Sequence, residues 1–426
     1  MPQVPAPRAP FEELIPALTS DQAAQESARC LYCYGAPCIT ACPTQIDIPA
    51  FIKKIGTGNL VGSARTIFEA NILGGSCARV CPVEVLCEGA CVEKALVKRP
   101  IPIGRLQRFA TDYLLSRGLE VLSAGAATGK SVGIVGAGPA GLGAAAELRR
   151  AGHAVVVYDQ RRWGGGLNTY GMAEYKQTAK LAVAEVAMVQ RLGAEFRQGV
   201  TVGKDVTIAQ LLAAHEAIFV GIGLGATNRL GVPGDELAHV HQALTWIEAL
   251  KVNPEGAERL HGKRAVIVGG GNTAIDAVTQ ARRLGAEATL VYRRGEAQMS
   301  AYRYEIELAR GMGCALLFDR PPLRVEPLGL VVQQRGQPEE LLRADLILAA
   351  VGQQKQVSFL RDLPGVQLDE RGRLAVDTAT FRTHNPRIWA GGDCVNGGKE
   401  AVHAVAEGKA AARSIDRELR QELRRA

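Results

Sequence analysis

The sequence predicts an α/β protein: an all-helical N-terminal domain, then two doubly wound βαβ domains, the second inserted in the first. Three observations predict it. Eight of the ten cysteines lie before residue 92, in a region that reads as short helices and turns. A strand, a glycine turn and a helix occur at Val132–Ala151 and recur 133 residues later, at Ala265–Leu284. A late apolar run from Ile388 closes on Gly-Gly-Asp393, as a strand returning to the first of two such domains does. The expected domains are 1–120, then 130–235 with 375–426, and 236–374.

Composition narrows the class. The 426 residues are 47% apolar and 22% charged, as in a globular protein of two to four domains. The net charge of +7 is spread among acids, and the Arg417–Arg425 run alternates with Glu as a solvated helix does. A nucleic-acid surface needs a basic stripe interleaved with aromatics, which the sequence lacks. No apolar run approaches the roughly 20 residues of a membrane helix. Met1–Arg8 carries no apolar core of a secretory signal, so a cytoplasmic location is expected. Clustered thiols in a reducing compartment mean metal or redox chemistry rather than disulfides.

The elements follow in order. Residues 1–10 are Pro-rich and expected to be disordered. Thr19 and Ser20 can cap a helix over Gln22–Arg29, and Ile48–Ile55 and Leu60–Asn71 read as amphipathic helices split by Gly56-Thr-Gly58-Asn59. A further helix spans about Arg105–Arg117, and Ser123–Lys130 is a small-residue linker. The first repeat is strand Val132–Val135, a turn, helix Ala140–Ala151 and strand Ala154–Tyr158. Strands are also expected from Ala217 and Asp345, and a helix from Ala401.

The cysteine spacing carries chemistry. The first group is Cys30-x2-Cys33-x4-Cys38-x3-Cys42-Pro43, and the second is Cys77-x3-Cys81-Pro82-x4-Cys87-x3-Cys91. Thiolate is a soft donor, and four can hold a 4Fe–4S cube. Bacterial ferredoxin runs end in Cys-Pro and lend their last cysteine to another cluster, so two clusters with exchanged ligands are expected. Zinc favours paired Cys-x2-Cys knuckles, and only one occurs here. Cys77 is either a ligand or a buried packing residue, and in the second case a residue other than cysteine completes the eighth place.

Gly136-x-Gly138-x-x-Gly141 follows a strand, opens a helix, and has Asp159 at the end of the next strand. Those glycines permit a tight turn, close approach of a pyrophosphate to backbone, and close helix packing, while the acid accepts from a ribose hydroxyl. The phosphates sit at the positive helix N-terminus. The second turn, Gly269-x-Gly271-x-x-Ala274, allowing one extra loop residue, sets Arg293 in the place of Asp159. Arg293 and Arg294 then favour a 2′-phosphate, hence NADP(H) over NAD(H), unless they are solvated surface residues. Beyond Cys91 only Cys314 and Cys394 remain, with no Cys-x-x-Cys for a dithiol reductase. His403 reads as a helix residue, with proximity to a flavin as the alternative.

These motifs resemble the electron-input chain shared by the glutamate synthase small subunit and the N-terminal half of dihydropyrimidine dehydrogenase. The likeness runs from about Ala28 past Gly408. It is carried by Cys30–Pro43, Cys77–Pro82, Ile103–Phe109, Gly164–Lys176, Gly269–Asp276, Val291–Arg294 and Ala390–Asp393. The resemblance implies one cluster on Cys30, Cys33, Cys38 and Cys91, and another on Cys42, Cys81, Cys87 and the amide of Gln107. It implies FAD on Gly136, Gly138, Pro139, Ala140, Gly141, Asp159, Gly166, Leu167, Gly392 and Asp393. The nicotinamide nucleotide, NADP(H) or NAD(H), falls to Gly269, Gly271, Asn272, Thr273, Arg293 and Arg294. Gly166–Lys176 and Gly397–Val402 point to the NAD(P)H-binding subunit of a bacterial-type dihydropyrimidine dehydrogenase. The chain stops after its nucleotide domains, so the FMN barrel that reduces uracil or thymine, with further clusters, is expected on a partner chain. Asp159 replaces a usual Glu, and Met299-Ser300 replaces the Met-Pro of glutamate synthase relatives. A glutamate synthase small subunit, a related NAD(P)H:ferredoxin-type oxidoreductase and a zinc-bound scaffold are the alternatives.

Overall fold

The computed structural model describes residues 11–425, with the side chains of 422–425 left aside, so the expectation for residues 1–10 lies outside it. The chain divides into two compact units. The larger holds 15–169, 180–224 and 355–426; the smaller holds 225–354, the ten residues 170–179 and the described residues up to Leu14.

The larger unit begins with helices. Thr19 caps Ser20–Ala28 with a reciprocal Gln22 contact, as its sequence allows. Asp47 and Asn59 cap Ile48–Gly56 and Leu60–Ala70, and Ile103–Ser116 completes the amphipathic set. Their apolar faces meet in a core of Phe51, Ile52, Ile67 and Leu106. A helix that the sequence did not announce, Gly74–Val80, carries Cys77. It starts on two glycines, poor helix formers, but Glu185 from helix Ala179–Arg191 accepts from the Gly75 amide at 2.7 Å and the Ser76 amide at 3.0 Å. The Ser76 hydroxyl also donates to Glu185.

Strands β1 (Ser131–Val135), β2 (Ala154–Asp159), β3 (Glu195–Gln198), β4 (Ala217–Val220) and β13 (Ile388–Ala390) form a parallel sheet. Its order is β13-β4-β1-β2-β3, so the late strand returns to the first sheet. The smaller unit repeats the design with β5 (Val240–Gln242), β6 (Arg264–Val268), β7 (Glu287–Val291), β8 (Ala315–Leu317) and β12 (Leu346–Ala349), in the order β5-β12-β6-β7-β8. It adds an antiparallel meander, β9 (Pro322–Glu326), β10 (Gly329–Gln333) and β11 (Glu339–Arg343), absent from the sequence reading. Central strands of both sheets are apolar on both faces, as parallel sheets covered by helices require.

Candidate functional site

The first glycine turn lies at the carboxyl edge of its sheet. Gly136 sits at φ +102°, where a Cβ would lie 2.5 Å from the Gly221 carbonyl oxygen. A Cβ on Gly141 would lie 1.9 Å from the Gly136 carbonyl oxygen, so the helix Pro139–Ala151 can start this close only with glycine there. That helix has Gly138 at its N-cap with no side chain to cap it, leaving its first amides for an anion. A Cβ on Gly138 would meet nothing nearer than the Gly166 Cα at 3.9 Å, which leaves the approach open.

Asp159 ties the turn to the strand end. One carboxylate oxygen accepts from the Ala137 amide and the other from the Arg161 amide, each at 2.7 Å. Each oxygen keeps a further lone pair for a ribose hydroxyl. Burial raises its pKa above the ordinary carboxylate value. The segment after Trp163 folds back over the turn: Gly165 donates to the Ala137 carbonyl, and Leu167 follows Gly166, which is at φ +58°. From β13, Gly392 at φ +78° comes so close that a Cβ would stand 3.0 Å from the Ala140 Cβ. Its amide donates to Glu407, while Asp393 accepts from the Lys399 amide and is raised in pKa by burial. Gly136, Gly138, Pro139, Ala140, Gly141, Asp159, Gly166, Leu167, Gly392 and Asp393 thus gather at one sheet edge, where ligands of such folds bind.

Sequence reasoning passed over Asn168 within the quoted Gly164–Lys176 motif. It is 1% exposed, and neither its amide oxygen nor its nitrogen has a partner among the described residues. A buried amide so placed needs a polar ligand, and the flavin expected beside Gly138 and Gly166 fits it.

The second turn keeps the backbone and changes the chemistry. Gly269, at φ +157°, would place a Cβ 2.3 Å from the Ala350 carbonyl oxygen, while a Cβ on Gly271 would meet only the Ser300 hydroxyl at 3.4 Å. Gly271 caps the helix Asn272–Arg283 without a side chain. The Asn272 side chain accepts from the Tyr302 amide at 3.0 Å and holds the loop that leads into helix Arg303–Gly311 over the turn, beside Thr273. One sequence expectation needs correcting here. Val135 pairs with Tyr158, and Val268 with Val291, so the offset of 133 holds without an inserted residue. Tyr292, not Arg293, therefore stands where Asp159 stands. Its ring lies under Gly270, and its hydroxyl donates to the Gln298 carbonyl at 2.7 Å. Arg293 and Arg294 come next, both exposed, with the Arg294 guanidinium 5.5 Å from the Tyr292 ring.

A buried ionic cluster supports this turn. Lys176 pairs with Asp276, one turn along the helix from Asn272, and with Glu305 at 2.7 Å. Lys251, with its side chain fully buried, donates to the Gln177 carbonyl at 2.6 Å and lies 3.1 Å from Glu174. These pairs hold residues 170–179 on the smaller unit. Burial opposes the Lys176 charge, but Asp276 and Glu305 overcome it and raise its pKa.

The cysteines form two sets. Cys30, Cys33, Cys38 and Cys91 line one cavity, walled by Ile48, Ile52, Ile101 and Ile103. Burial and the neighbouring Cys30 and Cys91 push the Cys38 thiol up to about 11, so the set needs a cationic partner to ionise. In the other set, Cys81 is raised first by the Cys77 thiol that hydrogen-bonds it, then by burial, with Cys87 and Cys42 adding to the effect. Cys87 is raised chiefly by burial. Cys77 packs in the core with Phe68 and Leu73 yet touches Cys81. Gln107 is buried, not on a helix surface, and its Nε2 donates to the Gly74 carbonyl at 2.7 Å, which fixes the amide with Oε1 as the atom able to ligate. Among the described residues no three acidic, histidine or cysteine side chains converge on one ion. Four thiols around a cavity suit a cube, which bonds each thiolate to a different iron.

Cys314 and Cys394 are buried, their thiols facing the Val278 and Gly391 carbonyls. His403 pairs with Glu400 at 2.7 Å. Among the described residues no helix is long and apolar enough to cross a membrane.

Residues 8–119 match the family described as dihydropyrimidine dehydrogenase domain II, 4Fe–4S cluster, and residues 130–408 match pyridine nucleotide-disulphide oxidoreductase. The chain is 36% identical to the NAD-dependent dihydropyrimidine dehydrogenase subunit PreT of Escherichia coli K12, over 95% of this chain and 96% of that one. It is 34% identical to the glutamate synthase [NADPH] small chain of Halomonas elongata, over 95% of this chain and 92% of that one. Thioredoxin reductase of T. acidophilum shares the fold at a TM-score of 0.57 and 24% identity, over 68% of this chain and 99% of that one. With a thiol-rich helical domain ahead of two nucleotide folds, the chain belongs to the family of flavin and iron–sulfur pyridine-nucleotide oxidoreductases that includes PreT and the glutamate synthase small chain.

Proposed function

We propose that this chain is the electron-input subunit of a two-subunit dihydropyrimidine dehydrogenase. It takes a hydride from NADH or NADPH and delivers electrons singly, by way of two 4Fe–4S clusters, to a partner subunit that carries FMN and reduces uracil or thymine. When bound, FAD supplies the exchange between a two-electron donor and one-electron acceptors. The observation that carries this reading is the cavity where Cys91 of the second sequence group meets Cys30, Cys33 and Cys38 of the first.

Each group has a task. The uncapped amides after Gly138 bind the flavin pyrophosphate, Asp159 accepts from its ribose, and Asn168 and Asp393 meet its polar atoms in a setting that burial keeps dry. Gly271 admits the nicotinamide pyrophosphate, Asn272 and Thr273 open the helix beneath it, and Arg293 and Arg294 offer charge to a 2′-phosphate. Cys30, Cys33, Cys38 and Cys91 hold one cluster; Cys42, Cys81 and Cys87 hold the other, with Gln107 or Cys77 as the eighth ligand.

The test uses the chain purified without oxygen. Iron and sulfide near eight per flavin are expected for two cubes. The chain alone reduces ferricyanide with NAD(P)H but leaves uracil untouched, and uracil-dependent oxidation requires the FMN partner. A lone chain that reduces uracil overturns the reading. The glutamate synthase small subunit is the second reading, favoured by the 34% identity to that chain. Co-purification with a large amidotransferase establishes it.

A further inference from the structure

Residues Cys42-Pro43-Thr44-Gln45 make a four-residue turn, closed by the Gln45 amide donating to the Cys42 carbonyl at 2.8 Å. Pro43 fixes its second position, and the chain leaves it with Gln45 at φ +53°. Ile46 and Ile48, each 2% exposed, anchor the turn in the core that also takes Cys42. Thr44 is thereby turned back on Cys42: its Oγ1 lies 3.4 Å from the Cys42 Sγ, in a buried contact. Thr44 is 9% exposed and Cys42 8%.

Between a hydroxyl and a thiol, either atom can be the donor. Cluster binding decides the matter. A ligating cysteine is a thiolate with no proton to give, so the Thr44 hydroxyl donates and the Cys42 sulfur accepts. In the other set the Cys30 thiol meets the Tyr32 amide, and the Cys38 thiol the Ile39 amide. Those backbone donors belong to almost any sequence, whereas the one at Cys42 depends on its side chain.

Burial gives this donor weight. An electron added to a cluster is added negative charge, which a dry site opposes. Glu88, next to Cys87 and accepting from the Gly104 amide at 3.0 Å, adds to the opposition when ionised. The Lys409 ammonium acts the other way, but its protons go to the Glu69 and Ala70 carbonyls, at 3.1 and 2.5 Å. Hydrogen bonds to the ligand sulfurs are among the levers that set such a potential.

We propose that the Thr44 hydroxyl, by donating to the Cys42 sulfur, raises the potential of the Cys42–Cys81–Cys87 cluster and keeps it within reach of electrons from NAD(P)H. The proposal rests on the electron-input reading and adds the residue that makes its buried cluster reducible. Thr44 acts through Cys42 and touches neither nucleotide.

The holoprotein, purified without oxygen and with its iron, sulfide and flavin counted, is titrated with dithionite in the presence of redox mediators. Electron paramagnetic resonance follows each reduced cluster, and Cys42→Ser, by changing the shape of one signal, identifies the cluster concerned. Thr44→Val keeps the branched shape without the hydroxyl. It should make that cluster about tenfold harder to reduce, a fall of about 59 mV for one electron, and leave the other cluster where it was. Thr44→Ala should give a similar shift, so the result does not hang on the fit of valine, and Thr44→Ser should keep the wild-type potential. No shift overturns the proposal, as does an equal shift in both clusters or a Thr44→Ser protein that behaves like Thr44→Val. Loss of about four irons per flavin in both Thr44→Val and Thr44→Ala also overturns it, because Thr44 then holds the cluster's frame and not its potential. A wild-type chain that carries flavin without iron and sulfide refutes the electron-input reading itself.

Discussion

The two βαβ repeats share a backbone in register and part company at three matched positions. Gly141 corresponds to Ala274, Gly143 to Asp276, and Asp159 to Tyr292, each pair 133 residues apart in sequence. In the first repeat the glycines serve packing: a Cβ on Gly143 would lie 2.8 Å from the Val405 carbonyl oxygen, and one on Gly408 2.0 Å from that of Ala140. The final helix, Ala401–Arg425, thereby lies almost backbone to backbone on the first. In the second repeat the same helical position carries Asp276, which grips Lys176. One scaffold therefore tolerates two anchoring schemes, apolar closeness and buried charge, provided the turn glycines at 136 and 269 remain.

The largest expected effect breaks the second scheme. Lys176→Met leaves Asp276 and Glu305 facing each other in a buried site without their cation. Removing one partner of such a group costs about 3–5 kcal/mol. Thermal unfolding should show the loss, and adding Asp276→Asn should restore part of it, because the two changes are coupled. A Lys176→Met protein as stable as wild type would mean that the ions are solvated and do not anchor residues 170–179.

Gly141→Ala breaks the first scheme. The new methyl would stand 1.9 Å from the Gly136 carbonyl oxygen and 3.2 Å from the Ile134 side chain. Helix and turn must separate, at about 2–3 kcal/mol, and flavin content should fall with stability. Gly271→Ala is the contrasting change. Its methyl has room, so stability should fall by less than about 1 kcal/mol while nicotinamide nucleotide binding weakens about tenfold. Equal stability losses in the two variants would erase the distinction between a packing glycine and an approach glycine.

A third difference is protonic. Glu185, beside the first sheet, is wholly buried and raised to about 7, chiefly by burial, though the Ser76 hydroxyl and the Gly75 and Ser76 amides pull it down. The unfolded chain gives up this proton near pH 4.5, so from there to about pH 7 the native state holds more protons. Stability therefore falls as pH rises through that window, by about 3 kcal/mol, and levels off above it. Comparing Glu185→Gln with wild type at pH 5 and pH 7.5 isolates this contribution. A difference between the two proteins that does not change with pH would show that Glu185 titrates normally.

Much of this was legible in the sequence, because what glycine turns and Cys-Pro runs demand is local. The repeat and the helix cap at Thr19 follow from near neighbours, whereas the return of β13, where Ile388 pairs with Ile218, follows only from the general design of folds with two dinucleotide domains. Helix Gly74–Val80 was not legible, since its N-terminal amides are satisfied by Glu185, 110 residues on from Gly75. Neither were the β9–β11 meander, with strands of five residues and weak alternation, and the orphaned amide of Asn168, whose need arises only once the fold buries it. The misplacement of Arg293 came from granting the second loop an extra residue. The strand pairing shows that none is there.

The smallest expected effect sharpens that last point. With Tyr292 in the place of Asp159, the second repeat has no strand-end acid to accept from a ribose hydroxyl, and the nearest charges are Arg293 and Arg294. Both are exposed, so each contributes weakly to holding a 2′-phosphate. Replacing both with Gln should lower kcat/KM for NADPH by about three- to tenfold and leave that for NADH within about twofold. A shift confined to NADPH assigns the guanidiniums to the extra phosphate. An equal fall for both nucleotides assigns them to the shared pyrophosphate, and no change returns them to the solvated surface. The preference would then have to be set elsewhere in the loop that Asn272 holds over the turn.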